Sequence, residues 1–162
     1  MTTDQPETPV PAFVPVPFDY DAWRAEEAKR RAEFAAQLVP LKAALFDFLE
    51  ANGIVLETVD FDGCGDSGQI EGITAFDEHG EVALPATGFA APDADGETSA
   101  DATGPTADAI ETLAYDLLET EHGGWENNDG AYGQFRFDLV ARSITLECNM
   151  RFTSSELLES NW

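Results

Sequence analysis

The chain has 162 residues, of which 32 are acidic and 8 are Lys or Arg, giving a formal net charge of −24 at pH 7. That length suits one domain, and a hydrophobic content of 43% is enough to build its core, so the charge does not imply a disordered chain. The charge does exclude direct nucleic-acid binding, which needs Lys, Arg and counterion release, and no apolar run is long enough to span a membrane.

The acidity is uneven. Residues 52 to 135 hold 19 acidic residues and no Lys or Arg, while basic residues survive on both sides. A high-salt host would also favour an acidic, lysine-poor surface, but it does not predict that pattern. Two cysteines, Cys64 and Cys148, make no disulfide framework, and the start of the chain reads as no signal segment. A cytoplasmic protein with reduced thiols is the expectation.

Residues 1 to 18 carry prolines at 6, 9, 11, 15 and 17, which predicts an extended arm, resting on its own domain or docking on a partner. Asp19 or Asp21 suits the cap of a helix beginning near Ala22, and Trp23 to Val39 is rich in helix formers. Pro40 is expected to kink or restart that helix. Beyond it Leu41, Leu45 and Phe48 recur at helical spacing, and Asn52-Gly53 ends the element. Lys29, Arg30 and Arg31 read as a solvated helix face paired with Glu26, Glu27 and Glu33.

Ile54 to Phe61 and Gln69 to Phe76 predict two antiparallel strands joined by the loop from Asp62 to Gly68. Residues 77 to 104 collapse to Ala, Asp, Gly, Thr and Pro, which predicts a flexible acidic insertion with a short ordered piece at Val82 to Leu84. Thr106 to Glu121 reads as a second helix with Ile110, Leu113, Leu117 and Leu118 on one face. Tyr132 to Leu139 and Ser143 to Phe152 predict a second hairpin around Val140-Ala141-Arg142, and the tail from Thr153 to Trp162 is expected to form a short turn of helix. The fold class is therefore α+β in the order αββαββ: a four-stranded, mostly antiparallel sheet of two hairpins, packed on one side by helices. The domain spans 19–156, between the arm 1–18 and a tail 157–162.

Two acidic segments are candidates for chemistry. Asp60, Asp62, Asp66 and Glu71 lie on a Gly-rich bend that partly follows a calcium loop, which makes Ca²⁺ or Mg²⁺ an alternative ligand. Cys64 stands where that loop needs hard oxygen, and the flanks read as strands. The bland account is a hairpin loop whose Asp side chains satisfy their own turn amides. The second segment holds Trp125, Glu126, Asn127, Asn128, Asp129 and Tyr132, where aromatics frame acids and amides as in a recognition surface. A tight loop explains the same composition. Should the two loops converge, they would gather carboxylates of the kind metal-dependent hydrolases use, but no cationic group accompanies them and no nucleophile motif appears. The balance leans away from an enzyme.

The segments Asp62 to Glu71 and Gly123 to Gly133, followed by Phe135 to Asp138 and Phe152 to Glu156, resemble a bacterial family of unknown function found in chromosomes, plasmids and mobile elements. The resemblance covers roughly residues 20 to 156, treats 77 to 104 as a variable insertion, and implies no mechanism. The reading from the residues is a non-enzymatic acidic protein that engages a basic protein surface, as DNA mimics and acidic inhibitors do. Its partner-contacting residues would be Asp60, Asp62, Asp66, Glu71, Trp125, Glu126, Asn127, Asn128, Asp129 and Tyr132.

Overall fold

A computed structural model describes residues 18–92 and 98–162; most of the Pro-rich arm thus lies outside the described residues. The first helix, α1 (Tyr20–Ala51), starts where a carboxylate caps it: Asp19 Oδ1 accepts from the Ala22 amide at 2.9 Å. It runs on through Pro40 without the expected restart. Ala36, Gln37 and Val39 are exposed in the preceding turn, so water can satisfy the bond that Pro40 leaves unmade. Gly53, at φ +82°, ends the helix in a left-handed conformation that favours glycine. Only Leu45, Phe46 and Leu49 are buried along α1, so its C-terminal third anchors a rod about 48 Å long.

Chain order continues as β1 (Leu56–Phe76), β2 (Glu81–Val82), β3 (Thr87–Pro92), β4 (Thr98–Pro105), α2 (Thr106–His122), β5 (Asn127–Asp138) and β6 (Ser143–Met150). The protein is α+β, with a curled four-stranded antiparallel sheet in the order β2-β1-β5-β6. Lying straight, β1 would span about 70 Å. Instead its ends meet, for the Val55 amide donates to the Phe76 carbonyl at 2.8 Å. The element doubles back near Gly65, as the expected first hairpin would. There is no seven-residue loop, however: extended backbone continues through Asp62 and Gly63, and the ladder to β5 resumes at Gly65 and Asp66 after a bulge.

The expected order αββαββ needs a second correction between β2 and α2. Thr87–Pro92 and Thr98–Pro105 form a separate two-stranded sheet, β3-β4, in the segment read as a flexible insertion, of which residues 93–97 lie outside the described residues. One apolar residue explains why it docks: Phe89 is buried and packs 5.6 Å from Phe48 of α1. Val82 and Leu84 also pack against the core, in agreement with the short ordered piece expected there. The second hairpin is present, with Asp138 opposite Ser143, but β5 starts five residues earlier than Tyr132. The tail from Arg151 onward forms no helix.

The sheet has one apolar face. Val59, Phe61, Ala131, Phe135 and Phe137 are buried together with Leu45, Phe46 and Leu49 of α1 and Ile110, Leu113, Ala114 and Leu118 of α2. Alternate residues Thr58, Asp60, Asp62, Tyr132, Gln134 and Arg136 form the polar face, as the period of two requires. No helix among the described residues is long and apolar enough to cross a membrane.

Candidate acidic cleft at the junction of the two loops

The two acidic segments converge. Asp62 pairs with Tyr132, Gly63 with Ala131, Gly65 with Asn128 and Asp66 with Asn127 in the β1–β5 ladder. The pivot is Trp125, 5% exposed, whose ring meets Phe61 edge-on at 5.4 Å. The glycines of the first segment make room for it. A Cβ on Gly63 would lie 2.6 Å from the indole and one on Gly68 only 2.2 Å, so both positions exclude any larger residue while the ring stays in place. Trp125 therefore supports the surface from beneath.

Convergence does not pool the carboxylates. On the polar face, Asp60 accepts from Gln134 Nε2 at 2.8 Å and Asp62 pairs with the Arg151 guanidinium. Arg151 also donates to the Gly63 carbonyl at 3.0 Å and stacks 4.5 Å from the Tyr132 ring. Asp129 accepts from the amide and hydroxyl of Thr153. The tail residues Arg151 and Thr153 thus clamp both segments from outside. Asn127 and Asn128 are exposed, and Asn128 holds a positive φ of 58°, which asparagine tolerates. Glu71 is exposed and accepts from Gln69 Nε2 at 2.9 Å.

Asp66 and Glu126 turn the other way. They line a cleft of about 420 Å³ with Ser67, Gly68 and Trp125, whose far wall is Tyr115, Asp116 and Glu119 of α2. Tyr115 also holds the rim, because its hydroxyl accepts from the Ile70 amide at 3.0 Å. Four carboxylates line this space and no cation does. One Glu126 oxygen is buried without a protein hydrogen-bond partner, and burial raises the Asp116 carboxyl above its ordinary value. Tyr115, Asp116 and Glu119 were not singled out in the sequence, although their spacing of three and four marks one face of α2. Among the described residues no three His, Cys, Asp or Glu side chains are grouped to hold a metal ion.

The fold is a curled antiparallel sheet packed against two helices. The chain belongs to a family of unknown function (DUF6878), whose model matches residues 38–162. No curated protein and no solved structure matches it.

Proposed function

We propose that the protein is a non-enzymatic acidic binding protein that engages a basic protein surface, with the cleft between the converged loops and α2 as its receptor for Arg or Lys side chains. The observation that carries this reading is the unneutralised carboxylate set Asp66, Asp116, Glu119 and Glu126, set beside Tyr115 in a cleft without a basic residue. The acids on the polar face already have partners, whereas these present negative charge to an incoming group. A guanidinium entering the cleft would offer a donor to the unpartnered Glu126 oxygen, neutralise Asp116 and find the Tyr115 ring beside it. The net charge of −24 would steer such a partner from a distance, at rates that fall as salt rises.

The test is binding of a fluorescent arginine-rich peptide, followed by anisotropy over a salt series. Converting Asp66, Asp116, Glu119 and Glu126 to their amides should weaken binding by roughly 30-fold or more, about 2 kcal/mol across four partly screened charges. Neutralising Glu78, Glu81, Glu156 and Glu159, which lie outside the cleft, removes the same charge. Equal weakening by the two sets would reduce the reading to bulk charge and sink the cleft as a site.

A further inference from the structure

The ridge formed by Asp116 and Glu119 has a second side. There it borders a groove of about 190 Å³ whose opposite wall is the N-terminal half of α1, with Arg30, Arg31 and Phe34 facing α2. Two grooves thus share one pair of carboxylates, one of them all-acidic and the other walled by arginines.

The eight basic residues divide between α1 and the C-terminal part of the chain. Arg136, Arg142 and Arg151, outside α1, each pair with a carboxylate of the domain body: Asp138 at 3.6 Å, Asp47 at 2.8 Å, and Asp62. The other five lie on α1. Arg30 and Arg31 both pair with Glu27 of their own helix, and with it stand over the groove. Neither makes an ion pair with Asp116 or Glu119. The fully buried residues of α1, Leu45, Phe46 and Leu49, all lie further along, and the family match begins at residue 38, beyond both arginines.

We infer that the N-terminal half of α1 is a built-in competitor for the cleft, with Arg30 and Arg31 drawing on the Asp116–Glu119 ridge that a basic partner would use. This rests on the binding reading above. Within one chain the arginines act at high effective concentration, so even a weak attraction discounts the affinity of an external cation. A partner's guanidinium would then have to outcompete two internal ones that stand across the groove from the same ridge.

The test uses the full chain, the same arginine-rich peptide and two charge-matched double variants. Arg30→Gln with Arg31→Gln removes the competitor; Arg24→Gln with Lys29→Gln removes equal charge from α1 residues that do not line the groove. The first variant should bind the peptide roughly three- to fivefold more tightly than the second. Equal affinity for the two variants, or weaker binding by the first, would overturn the competitor while leaving the cleft intact. If neither variant nor the natural chain binds at low salt, the binding reading itself fails and takes the competitor with it. Circular dichroism on all three confirms that α1 persists, so that a difference reports the groove and not a melted helix.

Discussion

The strand β1 carries acids on both of its faces, and the protein accommodates them in opposite ways. Glu57 points into the apolar core, fully buried opposite Phe137, with neither carboxyl oxygen hydrogen-bonded. Burial raises its pKa to about 8, so at neutral pH the proton itself neutralises it. Asp62, five residues along on the polar face, stays in reach of solvent and is neutralised by Arg151. A carboxyl excluded from water is held neutral, whereas one at the surface takes a counter-ion, and a chain this short of cations can supply few of those.

The largest effect should come from Glu57. Its folded pKa is raised, so stability is fully present below the ordinary value of 4.5, declines as pH rises, and levels off above about 8. At about 1.4 kcal/mol per pH unit the decline approaches roughly 5 kcal/mol. Urea unfolding between pH 5 and pH 8.5 should show this slope, and Glu57→Gln should flatten it; a slope that survives the substitution would assign it to other groups. Glu57→Leu should stabilise the protein at pH 8, since it removes two unpartnered oxygens from the core.

Trp125→Ala should cost about 4 kcal/mol, as expected for a buried aromatic, and free both glycine segments at once. Its diagnostic is coupling. Gly68→Ala should destabilise the natural chain but cost little on the Trp125→Ala background, because the atoms it collides with are gone. Additive effects would break the claim that the indole organises the two segments.

The smallest effect is that of Arg151→Met. The guanidinium is partly exposed, so screening limits the ion pair and the loss of global stability should be small. Hydrogen exchange should accelerate in residues 60–66 and 129–132 while the helices stay protected. Uniform acceleration instead would mean that Arg151 acts on global stability and not as a local clamp.

Much of this architecture was legible locally. Asp19 as cap, Gly53 as stop, the apolar face of α2 and the turn at Arg142 each depend on residues a few positions apart, where period and propensity speak directly. The restart expected at Pro40 is absent because the cost of a missing donor depends on what surrounds the freed carbonyl, and here that is solvent. The strands within 77–104 were not legible because composition averages away Phe89, whose partner Phe48 lies 41 positions back in the chain. The loops were recognisable by their glycines, but the reason for Gly63 and Gly68 is Trp125, distant in sequence.

The sequence by itself determined the charge, its concentration between residues 52 and 135, the α+β class and the two segments of interest. All follow from composition and short-range pattern. Which carboxylates remain without a partner was decided only by tertiary structure. Asp62 meets an arginine 89 positions away, whereas Asp66 meets the acidic face of α2. Net charge is a sum over residues, but neutralisation is a matter of distance, and the fold sets the distances.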